Sequence, residues 1–280
     1  MAESLASRIL FAEEALPPTL TPASEQPPLH DGTTRLYMSY TCPYAQRTWI
    51  ARNCKGLQGK IVLVPMDVAD KPAWYKKIYP QNMIPCLEHN NKVIGESLDV
   101  IRYIDSNFEG PKLFPDDFEK QRLGEELMAY SDTFNRALLA SLTSKGGGVT
   151  AEAVAALDKI EDSLSKFDDG PFFLGQFSLV DIAYAPFVDG FQVFFAGIQN
   201  YDTTAGRPNI QRFIEVLAKK QDYMFRWLFL VVTPLLTPPG QTCDIQEMDS
   251  IAAYAKTKQD PQELLALTKN KFGVRRSSRD

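Results

Sequence analysis

Histidine is almost missing from this chain, with only His30 and His89 in 280 residues. Cysteine is scarce as well: Cys42, Cys54, Cys86 and Cys243 are scattered, and no Cys-x-x-Cys or His-x-x-Glu-His spacing occurs. A disulfide framework and a zinc site therefore have no evident ligand set, and no metal is expected. Basic charge is not in surplus, since Lys+Arg 30 against Asp+Glu 35 leaves −5. That balance disfavours nucleic acid as a partner. Also lacking is an apolar run of the ~20 residues that a membrane span needs. The nearest approach, Tyr223 to Leu236 (YMFRWLFLVVTPLL), is shorter and holds Arg226 and Pro234. The N-terminus carries Glu3, Glu13 and Glu14 without a long apolar core, unlike a secretory or transit segment, so the expected compartment is the cytosol.

What the chain does have is an ordinary globular composition, 44% hydrophobic and 23% charged, which argues against disorder and fibre. Its length allows one large domain or two modest ones. Residues 16–32 are rich in Pro, Ser and Thr and read as the end of a flexible leader, 1–32. Arg35 to Tyr40 predicts a strand, Pro43 to about Lys55 a helix, Lys60 to Pro65 a second strand and Pro72 to Tyr79 a short helix. Ile84 to Glu88 with Lys92 to Ile94 predicts a hairpin, and a helix follows from Ser97. The order is βαβαββα. Beyond Pro115 the pattern turns helical. Leu127, Tyr130, Phe134 and Leu138 form one stripe and Val154, Leu157, Ile160 and Leu164 another, both read as core faces. Ser178-Leu179-Val180-Asp181 has the spacing of a capping box.

Chemistry concentrates at Cys42. A thiol at a helix start faces unpaired N–H groups and the positive end of the helix dipole, which favour the thiolate. Most cysteines are simply small buried side chains. The strand, turn, Cys-Pro and helix around Cys42 reverse that expectation, whereas Cys54 and Cys86 lack such a context and read as packing residues. Position 45 is Ala, so no nearby second cysteine can resolve a disulfide. Ile84-Pro85 stands where a strand resumes. A cis bond there would aim the Ile84 backbone at a peptide-like ligand, but such bonds are a minority and the residues alone leave the matter open. Glu96-Ser97 opens a helix and suits either a plain N-cap or the ammonium and carboxylate of a ligand.

Three runs in order, YTCPYAQRTWIAR (Tyr40 to Arg52), DKPAWYKKIYPQNMIPCLE (Asp70 to Glu88) and GESLDVIRYID (Gly95 to Asp105), resemble the glutathione transferase superfamily. Cys-Pro-Tyr-Ala-Gln-Arg and the later KTKQDPQELL (Lys256 to Leu265) resemble its plant Lambda class, a relative of the Omega class and the dehydroascorbate reductases. The resemblance implies an α/β plus all-α fold. A thioredoxin-like glutathione-binding domain would occupy 33–112 and an all-helical C-terminal domain 117–280. It further implies that Cys42 is the catalytic thiol, with Tyr44 lining the pocket. Lys71 would meet the glycyl carboxylate, Ile84 the cysteinyl backbone, and Glu96 and Ser97 the γ-glutamyl end, with Pro85 as a cis-proline. Glutathione would serve as co-substrate and a small apolar or glutathionylated compound as its partner, on a monomer or weak dimer. Because cysteine is itself a nucleophile, the expected activity is thiol transfer through a Cys42–glutathione disulfide. The alternatives are dehydroascorbate reduction and a carrier of flavonoid-like ligands, for which Phe187, Phe191, Phe194 and Phe195 are the candidate wall.

One segment matches nothing in the resembled pattern. About 221–248 is interposed between Arg207-Pro208-Asn209-Ile210 and the tail, and it contains Pro234, Pro238, Pro239 and Gly240. It reads as retained intron in preference to an apolar docking patch.

Overall fold

The computed structural model describes residues 14–144, 148–218, 257, 260–263, 265 and 266. The first apolar run becomes β1 (Thr34–Met38), buried along its whole length, and the second becomes β2 (Ile61–Pro65). They pair in parallel, which requires a crossover, and α1 (Pro43–Cys54) supplies it. The short α2 (Tyr75–Ile78) precedes β3 (Cys86–His89) and β4 (Lys92–Ile94), an antiparallel hairpin added beside β1. The sheet order is β2-β1-β3-β4, and α3 (Ser97–Asn107) closes the unit. The predicted βαβαββα order is therefore present. β1 stops at Met38, short of Tyr40, because Tyr40 and Thr41 form the turn into α1. Tyr37, Val64, Tyr75, Ile78, Tyr79 and Cys86 pack on one side of this sheet. Leu36, Leu63, Leu87, Trp49, Ile50 and Ile101 pack on the other. Cys86 is fully buried and Cys54 half-buried against the core, in keeping with the packing role expected of both.

The rest of the described chain is helical: α4 (Phe118–Leu142), α5 (Ala151–Leu164), α6 (Leu179–Phe194) with a π-turn at Phe195–Gln199, and α7 (Pro208–Ala218). Both predicted stripes supply core residues, with Leu127, Phe134, Leu138 and Ile160 fully buried. The Ser178–Asp181 capping box starts α6 as read, and the buried Asp181 carboxylate also accepts from Phe173 N at 3.0 Å. Contrary to the expectation that no run is long enough to span, the stretch Leu179–Gln199 is long and apolar enough to do so by composition; most of it is buried in this domain, which makes it a core helix. Of the four candidate wall residues, Phe187, Phe191 and Phe195 are buried and Phe194 packs against the same core. Lys55 fastens the connection between the two halves by donating to Asp105 O, Asp105 Oδ1 and Pro111 O.

The leader, expected to be loose, is held from Glu14 onward. The Glu14 carboxylate meets the buried Arg52 guanidinium at 2.5 Å, and Tyr40 donates to Pro17 O. Leu20 N donates to Pro65 O beside β2, and the Trp74 indole donates to Ser24 O. The physical reasons are a buried cation that needs a counter-charge and an open strand edge that needs partners. The apolar insert at 221–248 and Cys243 lie outside the described residues, as does most of the glycine turn after Ser144.

Candidate functional site

From the end of β1 the chain turns through Ser39–Thr41 and enters α1 at Cys42. Cys42 is the N-cap residue, with extended φ −101° and ψ 117°, and its carbonyl accepts the first helical bond from Gln46 N at 2.9 Å. Pro43 follows at the first helical position, where a missing N–H costs nothing. The first turn of α1 has no acidic residue, so the positive end of its dipole is not neutralised from within the helix.

The Ile84–Pro85 peptide is cis. The β1–β3 register pairs Tyr37 with Cys86, and continuing it sets Pro85 beside Met38 and Ile84 beside Ser39, at the base of the turn that leads to Cys42. Tyr75 braces this loop by donating to Met83 O at 2.6 Å. Beyond β4, Tyr79 lies directly against Gly95, where no Cβ would fit. Glu96 then holds φ +59° and ψ 113°, a left-handed backbone for a non-glycine residue, and its side chain is exposed. Ser97 is buried at the start of α3.

These placements bring Cys42, Ile84, Pro85, Glu96 and Ser97 to one end of the sheet. Lys71 is elsewhere engaged: its Nζ donates to Val68 O at 2.5 Å in its own loop. Tyr44 turns toward the helical domain, its ring 4.9 Å from Phe187 in an edge-on arrangement. The tyrosine remains 40% exposed at the junction of the domains, and partial burial raises its hydroxyl above the ordinary phenol range.

Sequence reasoning missed Arg47, which joins these parts. Its guanidinium is fully buried. Nη1 donates to Ser97 Oγ at 3.0 Å, and Nε donates to Ala183 O on α6 at 2.9 Å. The cation sits 4.5 Å from the Phe187 ring and 5.3 Å from that of Tyr44. Burial lowers its pKa to about 10, opposed by the Asp132 carboxylate on α4. One arginine of α1 thus ties the α3 start to the helical domain. The signal was a charged residue inside a helix whose faces are otherwise taken up by packing. Gln46, one turn beyond Cys42, donates through Nε2 to Thr257 O at 2.8 Å and to Thr257 Oγ1 at 3.0 Å. Gly197 packs on Leu265, leaving only 2.7 Å for a Cβ. Thr257 and Leu265, which follow the insert in sequence, are therefore placed against α1 and the π-turn. On α4, Asn135 is 4% exposed, and both of its side-chain amide atoms lack a partner at normal hydrogen-bond distance. Nothing in the sequence pattern pointed to it.

A groove of about 750 Å³ lies between α4 and α5 and shares no residue with this set. Its charged side chains pair with one another, as Lys159 does with Glu126 and Arg122 with Glu119, so it is a solvated face with no claim on Cys42 chemistry.

The family model for the glutathione S-transferase N-terminal domain matches residues 36–112, and that for the C-terminal domain matches 118–215. Protein IN2-1 homolog B of Oryza sativa subsp. indica is 58% identical over 247 residues, 88% of each chain. Glutathione S-transferase L2, chloroplastic, of Arabidopsis thaliana is 49% identical over 258 residues, covering 92% of this chain and 77% of that one. Among solved structures, the trimeric glutathione transferase TDR1 of Leishmania aligns with a TM-score of 0.66 at 23% identity, covering 86% of this chain and 49% of that one. This last likeness bears on the fold.

Proposed function

This chain belongs to the glutathione S-transferase family, in its Lambda class, and we propose that its working group is the Cys42 thiol, acting in glutathione-dependent thiol transfer. The observation that carries this reading is the residue at the N-cap of α1. A hydroxyl there would donate a hydrogen bond to glutathione thiolate and favour conjugation. Cysteine at the positive end of an unneutralised helix is instead a nucleophile in its own right.

In the proposed cycle, Cys42 thiolate attacks the glutathione sulfur of a mixed disulfide. The bond between that sulfur and the acceptor sulfur breaks, the acceptor leaves as its thiolate, and Cys42 carries the glutathionyl group. A second glutathione thiolate then attacks the glutathionyl sulfur, releasing glutathione disulfide and restoring Cys42 thiolate. No cysteine among the described residues is placed to resolve this disulfide, so the reading takes the resolving thiol from solution: Cys54 is twelve positions along α1, about 18 Å away at 1.5 Å per residue, and Cys86 is fully buried. Glutathione is the co-substrate. Its cysteinyl backbone would pair with Ile84 beside Pro85, and its γ-glutamyl end would meet Glu96 and Ser97. Lys71 would have to leave Val68 O to reach the glycyl carboxylate, and Tyr44 would border the acceptor. In this reading residues 33–112 bind glutathione and 117–280 shape the acceptor side, in a cytosolic monomer or weak dimer.

The test is Cys42→Ser. Wild-type protein treated with glutathione disulfide should gain the mass of one glutathionyl group at Cys42 and reduce a model mixed disulfide at the expense of glutathione. The serine variant should do neither. Full thiol transfer by that variant sinks the reading, and a faster wild-type rate on dehydroascorbate than on the mixed disulfide would move the preferred acceptor to dehydroascorbate.

A further inference from the structure

We propose that Asn135 determines acceptor specificity: its side-chain amide and the spare Nη2 of Arg47 form a polar anchor for a neutral carboxamide-type group on an otherwise apolar acceptor. The inference rests on the reading of Cys42 as the working thiol at this same junction. Two observations carry it. The buried Asn135 amide has no partner at normal hydrogen-bond distance, only a looser approach to the Tyr44 hydroxyl, and Nη2 of Arg47 is buried with no partner, although the other two nitrogens of that guanidinium are engaged. Buried polar groups are satisfied in the great majority of cases, so orphaned donors and an orphaned acceptor at one junction call for an explanation.

Tyr44 connects the two. The Arg47 cation stands 5.3 Å from its ring, and the Asn135 amide neighbours its hydroxyl. Tyr44 is itself two residues from Cys42 in the first turn of α1. A group held between Asn135 and Arg47 therefore lies against Tyr44, in the helix turn that Cys42 caps, on the side of the helical domain.

The donor and acceptor balance selects the chemistry. Arg47 Nη2 and Asn135 Nδ2 are donors and suit a carbonyl oxygen, while Asn135 Oδ1 is an acceptor and needs an N–H. A carboxamide supplies both. A carboxylate would leave Oδ1 without a donor, and the Asp132 carboxylate that faces Arg47 would repel it. A hydrocarbon would leave all three atoms orphaned, which is the costly outcome for buried polar groups.

The test is equilibrium dialysis of the full chain with 2-naphthamide, its apolar isostere 2-isopropenylnaphthalene, and 2-naphthoate. Wild-type protein should hold the amide about tenfold more tightly than the isostere, equivalent to about 1.4 kcal/mol, and more tightly than the carboxylate. In Asn135→Leu the amide-to-isostere ratio should fall close to one. A wild-type ratio near one overturns the proposal without recourse to any variant, as does a ratio that survives in Asn135→Leu or equal binding of the carboxylate. The same ratio is read in Cys42→Ser protein, where it should persist because binding needs no thiol. Absence of thiol transfer in wild type with the ratio intact would sink the redox reading and support the anchor. Thiol transfer with a ratio near one would overturn the anchor alone.

Discussion

Replacing Arg47 by methionine removes a fully buried cation while keeping an unbranched stem that α1 tolerates. Two opposing effects set the outcome. Burial lowers the Arg47 pKa to about 10, and a fall of that size corresponds to about 3 kcal/mol against the charged form, at ~1.36 kcal/mol per tenfold change. Against this stand two hydrogen bonds from a charged donor, to Ala183 O at 2.9 Å and Ser97 Oγ at 3.0 Å. At ~1.5 kcal/mol each they recover about 3 kcal/mol. The near cancellation predicts that Arg47→Met changes unfolding stability by less than about 2 kcal/mol, as replacing a buried charge by a well-packed apolar residue often does. Arg47→Ala, which also leaves a cavity, should lose about 2–4 kcal/mol more. Function should follow a different course. Ser97 loses the donor that fixes its hydroxyl, so KM for glutathione in the thiol-transfer assay should rise about five- to tenfold, roughly 1–1.4 kcal/mol. Urea denaturation monitored by fluorescence gives the first quantity and steady-state kinetics the second. A stability loss above about 4 kcal/mol in Arg47→Met would refute the cancellation, by the standard of a charge pair that is strongly net stabilising. An unchanged KM would refute the link from Arg47 to Ser97.

Three other outcomes follow from the same geometry. Burial, aided by the nearby Glu88 charge and opposed by Tyr75, pushes the Cys86 thiol up to about 12, so iodoacetamide at pH 8 should label Cys42 and leave Cys86 unmodified by peptide mapping; prompt labelling of Cys86 in folded protein contradicts this. Gly95→Ala would drive a methyl into Tyr79, so it should destabilise by about 1–3 kcal/mol and weaken glutathione binding, read as a lower melting temperature and a higher KM; wild-type values for both would show that Tyr79 gives way freely. Burial raises Asp181 to about 7 despite bonds from Ser178 and Phe173. A carboxyl raised above its unfolded value lends stability that is present below the unfolded pKa and lost as pH rises through the folded one. The stability difference between wild type and Asp181→Asn should therefore be larger at pH 5 than at pH 8, and the opposite trend would mean that the three donated bonds keep Asp181 ionised.

Much of the fold was legible because it depends on local pattern. Alternating and continuous apolar runs marked β1 and β2, Pro after Cys42 marked the start of α1, and the Ser178–Asp181 spacing marked the cap of α6. Residues 14–32 of the leader are held although their composition reads as loose, because composition reports what a segment favours alone. It does not report that a buried Arg52 nearby requires Glu14 or that the edge of β2 accepts Leu20. Of the candidate residues, Cys42, Ile84, Pro85, Glu96 and Ser97 each sit at an element boundary, the kind of position that leaves a signature in the sequence. Lys71 illustrates the limit: a flexible exposed side chain has no signature of its contact, and its amine turns back on Val68 O.

The sequence by itself determined the order of elements, the placing of a thiol at a helix start and the helical character of the second half of the described chain. Each follows from residue spacing within a few turns of chain. Only the tertiary structure decided that α1 beyond its first turn has no solvated face. Enclosed between the sheet, α3 and α6, it buries Gln46, Arg47, Thr48, Arg52 and Asn53 together with its apolar residues. Burial on every side converts polar side chains that a helix would ordinarily offer to water into connections between elements. Arg47 to Ser97 and Ala183, Gln46 to Thr257, and Arg52 to Glu14 join parts of the chain remote in sequence. Those partners are fixed by packing in three dimensions, and no spacing along one helix encodes them.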